Sequence, residues 1–587
     1  MQSNRIVSFI FFAGFLLTLV TSARASDPRT NCWFTADSGQ YARIYTNAAM
    51  QAAGTPLTTW SNGSQTQSAP AYCGVQAVYS SADWIYVRST GLASYNMGPW
   101  FLNTQRTMEF PNLPVNQKLL YRFPRTNGVP TIKSITGGGQ IGIFVDGVEM
   151  FNSWDAFYWN GSADTGGGGG AGYWNRDAYV NEGPTFDAGN AHQQNTGTYH
   201  YHANPIALRY LLGDHVNYNS TTKTYSEDTS VPTKHSPILG WVADGFPIYG
   251  PYGYSNPTNP TSGIRRMISG YFIRDGNFGT SNLTLNGRTT IPQWAVRLFN
   301  VASNIIVGPA VSTSYPLGRY MEDNDYLGDH GYTQGVDFDL DEYNGRWCVT
   351  PEFPQGTYAY FVAISSNGAP VFPYNIGRGY YGSPAGGSVA AISENVATNF
   401  LGGAAAVPSL NSPKVKNGTV TLTWSATEGG SYQVESTTNF SAWTTNATGI
   451  AATLNSAGYT NSSTDNHRFY RVARTALATY DPVGGTSSGS GLTYVVPGGS
   501  ASRGNGTNIT LSITLPGSPP SPPANAPITS VTLGSLTATS SSYAVSGTVL
   551  ANFTIPASAA TGAQNVVVTF TSGPPPYTFT GGFTINP

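Results

Sequence analysis

The stretch GTYHYHANPI, residues 197–206, sets two histidines one residue apart, each preceded by a tyrosine. Read as a β-strand, it turns successive side chains to opposite faces. His200 and His202 then share one face, roughly 6.5–7 Å apart, while Tyr199 and Tyr201 share the other. Two imidazoles at that separation can reach one metal ion. The same pattern also suits a structural strand whose histidines hydrogen-bond to neighbouring backbone, and the pair alone does not decide between these.

The surrounding sequence adds candidates. Six of the seven histidines lie between His192 and His330. His192 sits in DAGNAHQQN, His215 in LGDHV, His235 in KHSPILGW and His330 in a second LGDH. If the loops converge on the tandem pair, these residues offer a third and a fourth ligand. Asp244, in DGFPIYG, is a further ligand or outer acceptor, or simply a turn-former before Gly245.

Composition points to a mainly β fold. Charged residues are 10% of the chain, against about 25% in ordinary soluble proteins. There are 68 glycines and 36 tyrosines in 587 residues. Trp84–Arg88 and Ile141–Val145 cluster β-branched and aromatic residues between turn-formers, the pattern of short strands. The net charge of −2 supplies no field for a polyanion, so a nucleic-acid partner is not expected. The glycine run 166–170 holds a G-x-G-x-x-G match without a strand–turn–helix context, and GTSSG (485–489) holds a G-x-S-x-G match equally without one; both are rejected.

The chain divides by texture. Residues 1–25 read as a signal peptide: Arg5, an apolar run from Ile6 to Val20, then Ala23-Arg24-Ala25. That run is shorter than the ~20 residues a spanning helix needs, so export to the cell surface or medium is expected, with no membrane span after cleavage. Residues 26–395 hold nearly all the Trp, Tyr and His. Two immunoglobulin-like β-sandwich modules are expected after them, at 405–476 and 492–587. Cys32 and Cys73 are the expected disulfide pair, with Cys348 left as a buried thiol.

Three motifs taken together, YHYH (199–202), HSPILGWVADGFPIYGPYGY (235–254) and NGRWCVTPEFPQGTYAYF (344–361), resemble the YHYH-domain family of exported proteins, over roughly residues 70 to 385. The resemblance implies a domain assignment and no particular reaction. LTWSA…YQVESTTNFSAW…FYRV (422–472) resembles fibronectin type III-like modules, and FTIPASAATGAQNVVVTF (553–570) is similar to TIG/IPT modules.

Two other clusters compete for function. Eight of the 30 acidic residues fall between Glu322 and Glu342. On a strand, Asp337, Asp339 and Asp341 share a face, and such oxygen-rich sets suit Ca²⁺, which takes six to eight oxygens; ion pairing to Arg265, Arg319 or Arg346 is the alternative. Trp241, Phe246, Tyr249, Tyr252 and Tyr254 either stack on a glycan or fill a core. The expected function is an exported protein holding Zn²⁺ or Cu²⁺ on clustered histidines, for metal-assisted hydrolysis or redox chemistry. The alternative is a non-enzymatic surface or matrix protein with a structural His/Tyr/Asp network, binding an extracellular glycan or the cell surface.

Overall fold

A computed structural model describes residues 27–62, 65–167, 170, 173–462 and 468–477, then 491–496, 499–502, 507–514, 528–545, 548–556, 558–570 and 576–586. The signal-peptide segment, Gly168 and Gly169 of the glycine run, GTSSG and His467 lie outside the described residues. Among the described residues no helix is long and apolar enough to cross a membrane.

The described chain is dominated by strands. Its organising element is an eight-stranded mixed sheet. In chain order the strands are β1 (Gln140–Phe144), β2 (Glu149–Phe151), β3 (Ala191–Gln193), β4 (Tyr199–Tyr201), β5 (Ile238–Val242), β6 (Pro247–Tyr249), β7 (Gly345–Cys348) and β8 (Thr357–Phe361). Their spatial order is β3-β4-β2-β1-β5-β6-β8-β7, with β4–β2 and β6–β8 parallel and the other pairs antiparallel. The strands are short and mostly buried on both faces, which explains their near-continuous apolar sequences.

A five-stranded sheet built from Val75–Ser80, Trp84–Ser89, Leu119–Pro124, Gly387–Ser388 and Ala397–Leu401 covers part of this sheet. Phe123 stacks on Trp241 at 5.2 Å between ring centroids, and both belong to one apolar core. The Asp146-Gly147 turn joins β1 to β2. Gly147 is required there: its φ is 81°, and a Cβ would lie 2.2 Å from Ser89 Oγ.

Further on, Lys414–Lys416, Thr419–Ser425 and Ser456–Ser462 form one three-stranded sheet, and Gly430–Thr437, Thr444–Ala451 and Phe469–Leu477 form another. Leu422, Trp424, Tyr432 and Val434 fill the core they share. The last segment has a four- and a five-stranded sheet around Leu511, Ile513, Phe553, Val566, Val568 and Phe583.

Several expectations are corrected. Cys32, Cys73 and Cys348 are all unpaired, and the Cys32–Cys73 disulfide is not formed. The Cys32 sulfur instead accepts the Trp241 Nε1–H at 3.2 Å, and burial pushes its thiol up to about 12. Trp241, Phe246, Tyr249 and Tyr252 are buried, so these rings fill core and do not line a cleft.

The acidic stretch is not one strand either; residues 337–341 make only isolated bridges through Phe338 and Leu340. Its carboxylates disperse onto separate partners. Asp323 pairs with Arg288, Asp339 with Arg265, and Asp329 and Glu342 with Arg297. Asp325 meets His330 and Arg274. These oxygens do not converge, and the Ca²⁺ site expected there is not assembled among the described residues.

Candidate metal centre

The centre is built by one continuous stretch, residues 177–202, laid on the edge of the large sheet. The Asp177 carboxylate accepts Val180 N–H at 3.1 Å and caps a short helix, α1 (Ala178–Glu182). Gly183 and Pro184 then break the helix and leave Glu182 at its end. The β3–β4 hairpin follows, with His192 directly opposite His200.

β4 realises the alternation legible in its sequence. Tyr199 and Tyr201 point to one side and are fully buried. Their hydroxyls both meet Tyr95 Oη, at 2.8 and 2.7 Å. Tyr199 also donates to Asp187 at 2.6 Å, and Tyr201 to Asp146 at 3.1 Å. His200 and His202 point to the other side, joined by His192.

On that side the three Nε2 atoms converge. His192 and His200 are 3.1 Å apart at Nε2, and His200 and His202 are 3.0 Å apart. All three rings are buried, at 5%, 2% and 3% exposure. Phe151 stacks on His200 at 3.9 Å, and Phe186 and Phe110 flank His192.

The partners of the opposite ring nitrogens fix the tautomers. His200 Nδ1 faces the Thr198 carbonyl at 2.9 Å, and His202 Nδ1 faces the Asn152 carbonyl at 2.6 Å. A carbonyl only accepts, so both Nδ1 atoms carry the proton. Thr185 Oγ1 donates its one hydrogen to the Glu182 carbonyl at 2.6 Å, so at His192 Nδ1, 2.7 Å away, it accepts. All three Nε2 atoms of the neutral rings are therefore bare lone pairs aimed at one another.

Protonation does not relieve this near neutral pH. Burial, then repulsion from the neighbouring rings, holds His192 and His200 well below the usual imidazole range. Burial brings His202 down to about 4. Glu182 completes the set, its Oε2 3.4 Å from His202 Nε2 and 3.7 Å from His192 Nε2. That oxygen is buried and has no hydrogen-bond partner, although the side chain as a whole is 28% exposed. Burial, and then Asp155 and Asp177 nearby, raise its carboxyl well above the usual range.

These three histidines are the group of three or more His, Cys, Asp or Glu ligand atoms that converges among the described residues. The spacing fits a metal: with Zn–N bonds of about 2.05 Å, separations of 3.0 and 3.1 Å correspond to N–metal–N angles of roughly 95°.

The other candidates lie elsewhere. His215 bonds the Ser230 carbonyl through Nε2 at 2.6 Å, and His235 bonds the Ser236 carbonyl through Nδ1 at 2.7 Å among Tyr249, Tyr254 and Phe361. His330 meets Asp325 at 3.0 Å. Asp244 shapes the turn before Phe246 and accepts Tyr360 Oη–H at 2.6 Å and Gly382 N–H at 2.9 Å. Glu182, Thr185 and Asn152 were not singled out from sequence. The cap–helix–Gly-Pro pattern at 177–184 was the one local signal for Glu182.

Residues 120–371 match the family model described as YHYH protein, a span that includes Glu182, His192, His200 and His202. No curated protein matches the chain.

Proposed function

We propose that His192, His200 and His202 bind one divalent transition-metal ion, Zn²⁺ or Cu²⁺, with Glu182 at the remaining side. The supporting observation is the three unprotonated Nε2 atoms held within 3.1 Å of their neighbours. Lone pairs at that range repel unless a cation lies between them, and three carbonyl or hydroxyl partners prevent the rings from turning away. Thr185, Thr198 and Asn152 do what outer-sphere partners of ligating histidines do: they set the tautomer and the ring orientation.

Bound there, the ion supplies Lewis acidity if it is zinc and one-electron chemistry if it is copper. Glu182, with one buried oxygen and a half-open side chain, is the residue placed to exchange a proton with whatever enters. The chain is read as exported, on its N-terminal sequence, with 405–476 and 492–587 as fibronectin type III-like and TIG/IPT-like spacers. The paired sheets around shared cores support that reading of the modules.

A second reading keeps the ion but makes it structural, favoured by the low exposure of all three rings. Metal analysis tests both. Purified full-length protein should carry close to one equivalent of zinc or copper, lost in the His200→Ala/His202→Ala variant. An unchanged metal content in that variant removes the proposal. A Glu182→Gln variant that keeps its metal but loses turnover identifies a catalytic ion, and one that keeps both identifies a structural ion.

A further inference from the structure

Among the described residues five arginines are buried: Arg209, Arg274, Arg288, Arg346 and Arg378, none more than 5% exposed. Four have a carboxylate within ion-pair range. Arg209 has Asp214 and Glu227, Arg288 has Asp323, Arg274 has Asp325 at 3.6 Å and Arg346 has Asp339 at 3.6 Å. Arg378, at 3% exposure, has none among the described residues. Its Nε is buried without a hydrogen-bond partner. Its guanidinium makes one long bond, Nη1 to Thr136 Oγ1 at 3.4 Å, and lies over the Trp154 ring at 5.1 Å.

The carboxylate that acts on it through the interior is Glu322, but that group makes no ion pair with it and its oxygens face Asn175. They accept Asn175 N–H at 2.6 Å and Asn175 Nδ2–H at 2.7 Å. A buried, uncompensated guanidinium is expensive. In this fold every other buried arginine has been given its anion.

Arg378 also sits beside the histidine centre. Thr136 Oγ1, which it touches, accepts Asn152 Nδ2–H at 3.1 Å, and the Asn152 carbonyl is the group that orients His202. Gly137 and Gly138, both exposed, form the backbone over this position; the Gly137 carbonyl binds Asn152, and Gly138 lies against Trp154.

We propose that Arg378 is the anion anchor of a ligand pocket adjoining the histidine centre, and that its ligand is a small organic carboxylate. A guanidinium edge presents two parallel N–H donors that match a carboxylate. One guanidinium balances one negative charge, so a singly charged carboxylate matches it better than a doubly charged phosphate or sulfate. The proposal rests on the metal reading for its neighbour, not for its anion, so the two fail separately.

Acetate, with sulfate as comparison, is titrated into full-length protein by calorimetry at constant ionic strength. Acetate should give saturable heat and sulfate none. Arg378→Lys, which keeps the charge and loses the fork, should weaken acetate by about tenfold; Arg378→Met should abolish it. If Arg378→Met does not fold, the lysine variant decides. No saturable acetate heat, equal binding of sulfate, or an unchanged affinity in Arg378→Lys overturns the assignment. The same titration on His200→Ala/His202→Ala should still show acetate binding, which keeps this result apart from the metal content.

Discussion

The tyrosine face of β4 makes an unequal pair of substitutions out of two adjacent, chemically identical ones. Tyr199→Phe removes one donor from Asp187, whose carboxylate keeps Gly98 N–H at 2.8 Å, Gly189 N–H at 2.8 Å and Ala191 N–H at 3.3 Å. Tyr201→Phe removes the donor to Asp146 Oδ2, leaving that carboxylate with Val148 N–H on its other oxygen. A lost but compensated hydrogen bond costs about 0.5–1.5 kcal/mol, and a buried acceptor left short costs about 1–3.

The sign of the pH dependence follows from Asp146. Burial raises its carboxyl from 3.8 to about 6, against the lowering effect of Val148 and Tyr201. The folded state thus holds the proton more tightly than the unfolded chain. The stability this contributes is present at low pH and disappears as pH rises through about 6; holding the group charged at neutral pH costs roughly 3 kcal/mol at 1.36 kcal/mol per pH unit. Losing Tyr201 raises the carboxyl further, so the extra penalty appears above pH 6. Tyr201→Phe should therefore destabilise by about 1 kcal/mol at pH 5 and about 2–3 at pH 8, while Tyr199→Phe stays near 1 at both. Native-state hydrogen exchange of peptides spanning 191–211 reads this locally, unmixed with melting of the C-terminal sheets. Equal penalties for the two variants, or a larger Tyr201→Phe penalty at pH 5, would refute the reasoning.

Asn152→Ala removes the amide that binds Thr136 and Gly137 and holds the Asn152 carbonyl against His202; metal affinity by competition with a chromophoric chelator should fall about 10–100-fold. Asp323→Ala leaves the fully buried Arg288 guanidinium uncompensated and should cost about 3–5 kcal/mol, whereas Arg265→Ala, which removes a 41% exposed side chain and leaves the buried Asp339 with Arg346 and Ile268 N–H, should cost about 1 kcal/mol. Neither penalty should depend on added Ca²⁺ in urea titrations, since these carboxylates are held by arginines.

Period-two alternation was legible wherever a strand had two different environments. TYHYH is the clearest case, because a polar cluster lies on each side of it and a one-residue slip would exchange them. Strands such as Ile238–Val242 and Thr357–Phe361 lie buried on both faces, and their sequences mark strand without saying which side faces what. The acidic stretch misled for a related reason. Asp337, Asp339 and Asp341 alternate as strand residues do, but the backbone there follows bridges and turns that serve Arg265 and the 268–270 segment, and alternation without a neighbouring strand has no face to define.

The site divides along the same physical line. His192, His200 and His202 are linked by a hairpin with seven residues between the opposed pair, so their meeting is a consequence of local register. His215, His235 and His330 needed loop positions that no local rule specifies, and each instead settles near home: two bond backbone carbonyls and His330 lies beside Asp325. Glu182 and Asn152 are ordinary residues in sequence and acquire roles only through what faces them. Asn152 matters through its carbonyl, which any residue possesses, and its side chain matters only for holding that carbonyl still. Arg378 extends the point. A buried arginine is unremarkable in sequence, and only the location of every carboxylate around it shows that this one lacks the anion the other four were given.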